Sequence, residues 1–226
     1  MPLVPVDDNV TVFQYEDTGP PPTSDTTPYT TWVLIHGIQF HSGTLAVYLS
    51  QRQEDTDNNS GIFSKLLPYA APNNLRRVHI NLRDNGQSTL CADEELVPAL
   101  GGDKEAQVAF MKCRGLELAS FLAWFSQHEH IPPMQEVGGK RVGGLCLVVW
   151  SGANAFGLSF FGFAEIIPRD LIERYLRTYV ILDAAPTVIS APTLTVEEMY
   201  NILLDPAATS EQKLAAWVPK SVGRYS

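Results

Sequence analysis

The sequence predicts an α/β fold, a predominantly parallel sheet with helices on both faces, and three observations carry that expectation. Short β-prone apolar runs recur at residues 31–35 (TWVLI), 77–82 (RVHINL), 145–150 (LCLVVW) and 178–182 (TYVIL), as strands covered on both faces require. Helical patterns separate these runs, which is the alternation of parallel strands with crossover helices. Three of the runs end abruptly in unusual residues: His36-Gly37, the stretch RDNGQS at 83–88, and Ser151-Gly152. Ligands of such sheets bind at the C-terminal ends of the strands.

Each element follows from local chemistry. Residues 10–15 (VTVFQY) alternate apolar and polar side chains like a half-buried edge strand or hairpin arm. The Pro-, Thr- and Asp-rich DTGPPPTSDTTP that follows is a surface loop. Residues 31–35 read as a central strand, and the polar QRQEDTDNNSG beyond has the composition of a mobile insertion. Residues 63–70 form a helix candidate cut short by Pro68. Between Asp103 and His130 lies the longest periodic segment: Phe110, Met111, Arg114, Leu118, Phe121, Leu122 and Phe125 repeat on one helix face, with Asp103 as cap.

After the connection VGGKRVGG, residues 145–150 form a fully apolar strand, and small residues beyond Ser151 start a helix reaching about Phe163. Residues 169–177 read as a charged amphipathic helix and 178–182 as a buried strand. Two more helix candidates follow, one from Thr195 with a capping box to Glu198 and one over 210–217.

Composition bounds the function. The 226 residues suit one domain spanning 1–226, with a core over about 30–190. A net charge of −9 argues against nucleic acid as the main partner, because the summed field repels polyanions. The N-terminus has no leader pattern and no run is long enough to span a membrane, so a cytoplasmic location is the expectation. Cys91, Cys113 and Cys146 are too widely spaced for a metal site, with Cys113 and Cys146 read as buried thiols. No metal cluster, phosphate-binding loop or redox pair is visible, so no cofactor is expected.

Ser151 draws attention because acyl transfer needs a nucleophile held clear of the sheet, and a tight strand-to-helix turn displays one side chain there. Small neighbours let the two backbones approach. A serine before a helix is equally suited to capping it. In the RDNGQS turn, Arg83 and Asp84 are positioned to pair, and Gly86 to supply a backbone conformation closed to other residues; structural support of a pocket is the reading.

Taken together, LIHGIQF, HINLRDNGQST and LCLVVWSGANA resemble the α/β-hydrolase family, esterase or lipase type, over about residues 30–190. The resemblance implies that Ser151 is the nucleophile, in an elbow where Val149 and Ala153 stand at the family's glycine positions. It implies an oxyanion hole from the N–H groups of Ile38 and Gly152, with His36 bracing the loop. A small hydrophobic or ester substrate is the expected ligand.

The same resemblance exposes a gap. A serine hydroxyl needs a base, and the family order is Ser, then Asp or Glu, then His. All five histidines, at 36, 41, 79, 128 and 130, precede Ser151. His128 and His130 should lie at the far end of the sheet and His79 inside a strand, leaving His41 as the one stand-in base; Asp183 is read as fixing its loop by side-chain to backbone bonds, with an alternative acid as the second reading. The resemblance therefore implies a domain without its last two strands, residues 191–226 beginning a lid, and impaired ester hydrolysis. The competing expectations are a non-catalytic binding module that keeps an apolar pocket, and an oligomer formed through an uncovered sheet edge.

Overall fold

The computed structural model describes residues 1–8, 11–37, 63, 66–184, 188 and 207–212. Among them a six-stranded sheet contains β1 (Leu3–Pro5), β2 (Val12–Asp17), β3 (Thr30–Ile35), β4 (Leu75–Asn81), β7 (Leu145–Trp150) and β8 (Leu176–Leu182) in the order β1-β2-β4-β3-β7-β8. The strands β4, β3, β7 and β8 run parallel, and β1 and β2 join antiparallel at one side. The mainly parallel α/β class read from the sequence is the observed one.

The period-2 geometry of the central strands builds the two faces. Val33 and Ile35 of β3, Val78 and Ile80 of β4, and Leu145, Leu147 and Val149 of β7 lie in one buried cluster with Leu118, Phe121, Leu122 and Phe125. Leu34, Cys146 and Val148 point the other way, with Phe63 and the half-buried Trp32 and Trp150. Registers Val33↔Val78 and Val33↔Leu147 bring like-facing residues side by side. A one-residue slip would turn every one of them to the wrong face.

The short helix α1 (Leu67–Ala70) carries Pro68 in its first turn. There the missing N–H costs nothing, so Pro68 starts this helix where the sequence reading had it end one. The helix α2 (Asp93–Leu100) has no counterpart in that reading; Glu95 turns its carboxylate back to the Ala92 N–H at 3.0 Å. The long helix α3 (Lys104–His128) is capped by Asp103, whose Oδ1 accepts from the Glu105 N–H at 2.9 Å. Its buried face runs from Arg114 to Ser126, while Phe110 and Met111 are only half-buried. The helix α4 (Asn154–Gly162) lies against α3, where Ser159 Oγ donates to the Met111 carbonyl at 2.6 Å.

Other expectations are corrected. Of the two readings of 10–15, the hairpin arm is the observed one: β2 pairs antiparallel with the preceding β1, which is the edge. A hairpin of β5 (Gln135–Val137) and β6 (Lys140–Val142) turns on Gly138-Gly139 where the sequence suggested only a connection. The helix expected over 169–177 is present over 169–175, its last five residues Leu171–Tyr175 as a π-helix, and ends there because Leu176 and Arg177 join β8, which pairs with β7. β8 is not the buried strand expected: Val180, Ile181 and Leu182 are 36%, 47% and 40% exposed. Among the described residues β8 has a neighbour on one side only. Cys146 is buried but Cys113 is exposed, because position 113 falls on the outer side of α3. The insertion QRQEDTDNNSG, the Thr195 helix and most of the 210–217 helix lie outside the described residues. Residues 210–212 are helical, and Thr209 and Gln212 cap each other reciprocally.

Candidate active site

The C-terminal ends of β3, β4, β7 and β8 form one rim of the sheet. At the end of β7 the backbone leaves the extended conformation of Trp150, and Ser151 takes φ +56 before a 3-10 turn over Ser151–Ala153 leads into α4. A left-handed conformation costs a non-glycine residue about 1–2 kcal/mol, and such strain concentrates at functional sites. The Ser151 side chain caps neither the 3-10 turn nor α4. The structure thus removes the helix-cap reading of this serine.

Gly37, at the end of β3, lies against the turn. A Cβ on Gly37 would meet the Ser151 Cβ at 3.0 Å and the Trp150 ring at 3.1 Å, so a side chain there would push the two strand ends apart. His36 braces this approach as the sequence suggested. Its Nε2 accepts from the Leu82 N–H at 3.2 Å, which leaves the proton on Nδ1 to be donated to the Gly37 carbonyl at 2.8 Å. Burial lowers the His36 pKa, against the opposing pull of the Gly37 hydrogen bond, so the neutral ring is favoured.

Asn154 holds the other side of the turn and was passed over in the sequence. It is fully buried. Its Nδ2 donates to the Val149 carbonyl at 3.0 Å and the Ser151 carbonyl at 2.9 Å, with the Leu182 carbonyl at 3.5 Å. Its Oδ1 accepts from the Tyr179 hydroxyl at 2.9 Å. The only linear signal was an asparagine among the small residues SGANA, and nothing in the sequence linked it to Tyr179.

The RDNGQS turn supports the rim from beneath β4. Gly86 takes φ +55, and its absent Cβ makes room for Gln14 Oε1 and Asn81 Nδ2. Ser88 Oγ accepts from the Gln14 N–H at 2.8 Å and donates to the Asn81 carbonyl at 2.7 Å. The expected Arg83–Asp84 pair does not form. Arg83 instead reaches Glu95 at 2.8 Å and Glu117 at 3.3 Å, while Asp84 Oδ1 accepts from the Cys91 N–H at 2.9 Å. The left-handed φ of +66 at Asp84 turns its side chain into the loop.

That places a buried charge cluster behind the rim. Arg114 bonds Glu117 at 2.7 Å and Glu95 at 3.0 Å. Burial outweighs both arginines at Glu117 and raises its pKa to about 7, and its Oε2 makes no hydrogen bond among the described residues. At Glu95 burial acts in the same upward sense, but the hydrogen bonds from Arg83 and Ala92 and the charge of Arg114 hold it down at about 2. Cys91 accepts from Arg114 at 3.1 Å, and burial followed by Asp84 pushes its thiol up to about 12. The protonated thiol is therefore the favoured form near neutral pH.

The remaining candidates separate cleanly. Asp183 follows β8, and the register Trp150↔Leu182 sets it beside Ser151 on the same rim. Gly152 is the second residue of the 3-10 turn, where the first N–H groups have no intrahelical acceptor. Ile38 and His41 lie outside the described residues. His79 is buried with its ring edge-on to Phe63. His128 stacks on Trp124 at the end of α3, and the chain just beyond, at Pro132, accepts from Gly144 below the start of β7. Among the described residues no histidine is hydrogen-bonded to Ser151, no His/Cys/Asp/Glu cluster could hold a metal, and no helix is long and apolar enough to cross a membrane.

No family profile matches the sequence, and no curated protein sequence matches it either. Similar solved structures include a bromoperoxidase from Bacillus anthracis, 14% identical with a TM-score of 0.44, covering 82% of this chain and 45% of that one. An esterase from Exiguobacterium antarcticum is 14% identical with a TM-score of 0.43, covering 98% of this chain and 55% of that one. An α/β serine hydrolase without lid from Xanthomonas campestris is 13% identical with a TM-score of 0.40, covering 84% and 76%. This chain spans about half the length of the first two.

Proposed function

We propose that Ser151 is the nucleophile of an α/β-hydrolase-type centre acting on an ester or related carbonyl substrate. One observation carries the reading: a non-glycine residue held at φ +56 between a central parallel strand and a helix, with its hydroxyl unused as a cap. Gly37 has no side chain to crowd Ser151, whose Cβ a Cβ on Gly37 would meet at 3.0 Å. In this reading Oγ attacks the substrate carbonyl carbon, and the negative charge that develops on its oxygen is met by the N–H groups of Gly152 and Ile38. The proton leaving Oγ needs a base. In this reading His41 is the stand-in base and Asp183 the alternative acid. No cofactor takes part, and the setting is cytoplasmic.

A second reading is a binding module that keeps the pocket without the chemistry, accepting a small hydrophobic molecule beside Trp150. It is favoured by the lack, among the described residues, of an imidazole bonded to Ser151. A fluorophosphonate probe separates the two. Slow covalent labelling at Ser151, abolished by Ser151→Ala, is the expected result. No label at Ser151, together with saturable binding of an acyl ligand that Ser151→Ala leaves unchanged, overturns the catalytic reading.

A further inference from the structure

We propose that Asn154, locked by Tyr179, is the positioning residue for Ser151: one buried amide spans the strand-to-helix turn and sets the direction of the hydroxyl. The inference rests on the reading of Ser151 as nucleophile, and its geometry stands without that reading. The donors of Nδ2 reach the carbonyl of Val149, two residues before Ser151, and the carbonyl of Ser151 itself. The peptide that follows the left-handed residue and the Val149–Trp150 peptide, one step before it, are thereby tied to one side chain. The third carbonyl, Leu182 at 3.5 Å, connects the same amide to the end of β8, one residue before Asp183.

The carbonyls of Val149 and Ser151, which only accept, decide which way the amide faces, and Tyr179 holds its other end. The Tyr179 hydroxyl donates to Oδ1, opposite the N–H groups that face the carbonyls. Rotating the amide by half a turn would set Oδ1 against carbonyl oxygens, which have no proton to give. The phenol passes over Gly157 of α4, where a Cβ would meet Tyr179 Oη at 2.4 Å, and its burial raises the hydroxyl pKa to about 12. At neutral pH the hydroxyl therefore keeps the proton it donates to Oδ1. Strand β8, helix α4 and the Ser151 turn are joined through a single side chain that no other residue type can replace. Aspartate keeps the acceptor and loses both donors; alanine loses everything.

Two measurements on the full chain test this. The Cα and Cβ chemical shifts of Ser151 report its left-handed backbone, and the rate of Ser151 labelling by fluorophosphonate reports the aim of Oγ. Tyr179→Phe keeps the ring and removes the hydroxyl; it should move the Ser151 shifts and slow labelling by about tenfold, since small misplacements cost that much or more. Asn154→Asp should do both more strongly, and Tyr175→Phe, a tyrosine away from the turn, should do neither. If Asn154→Asp does not fold, Tyr179→Phe decides. Wild-type Ser151 shifts and labelling rate in Tyr179→Phe overturn the proposal. A wild-type protein that takes no label at Ser151 overturns the nucleophile reading instead, and the shifts then decide the positioning role alone.

Discussion

Gly37 and Ser151 meet across the ends of β3 and β7 so closely that a Cβ on Gly37 would lie 3.0 Å from the Ser151 Cβ. The contact joins the first strand end singled out in the sequence to the last. Gly37→Ala should destabilise the fold by about 1–3 kcal/mol through overpacking and reduce Ser151 labelling. Urea unfolding midpoints and labelling rates check both; an alanine variant equal to wild type in both would show that the two strand ends are free to move apart.

His36→Ala should cost about 2–4 kcal/mol, because it leaves the buried Leu82 N–H and Gly37 carbonyl without partners and opens a cavity. The wild-type residue also gives a pH signature. Its folded pKa is below the ordinary 6.5, so the unfolded chain binds the proton more readily, and the stability His36 gives is lost as pH falls below 6.5 towards the lowered folded value. Titration of the His36 ring by NMR should find its midpoint below 6.5.

Glu117 slopes the opposite way. Its folded pKa of about 7 exceeds the ordinary 4.5, so its protonated form favours the folded state; that contribution is complete below 4.5 and is lost as pH rises through 7. The carboxyl faces Arg114 and Arg83, with the charges of Glu95 and Asp7 nearby. Glu117→Gln should remove this slope, so unfolding free energies of variant and wild type measured from pH 4.5 to 7 should converge or diverge steadily. A constant difference across that range would show that Glu117 does not titrate there.

Arg76 closes the far end of the sheet. Its guanidinium, 2% exposed, binds Asp17 of β2 and Glu129 beyond α3, the latter at 2.6 Å, and lies 4.9 Å from the Phe125 ring. Arg76→Ala leaves two carboxylates without their buried partner and should cost about 3–5 kcal/mol. Thermal unfolding of the variant checks this, and a change in Tm of under a degree would show that water replaces the arginine at no cost.

The strands β3, β4 and β7, the helix α3 with its Asp103 cap, and the Ser151 turn were legible because each depends on local chemistry: apolar runs bounded by breakers, a 3.6-residue rhythm, a serine before small residues. What failed also has local reasons. Residues 169–177 have a helical pattern, yet pairing with β7 draws Leu176 and Arg177 into β8. The helix α2 has no buried residue, so it carries no apolar rhythm to read. Cys113 lies on the outer side of α3, a distinction a periodic pattern blurs over 25 residues.

The linear sequence by itself determined the α/β class, the order of the central elements and the residue at the end of β7, since these follow from propensity and from covalent neighbours. Only the tertiary structure decided that Ser151 is left-handed and not a cap, that Arg83 pairs with Glu95 and Glu117, and that Asn154 meets Tyr179. Partners 12 to 34 residues apart in the chain become neighbours through strand register and helix packing, and no pattern of adjacent residues encodes those distances.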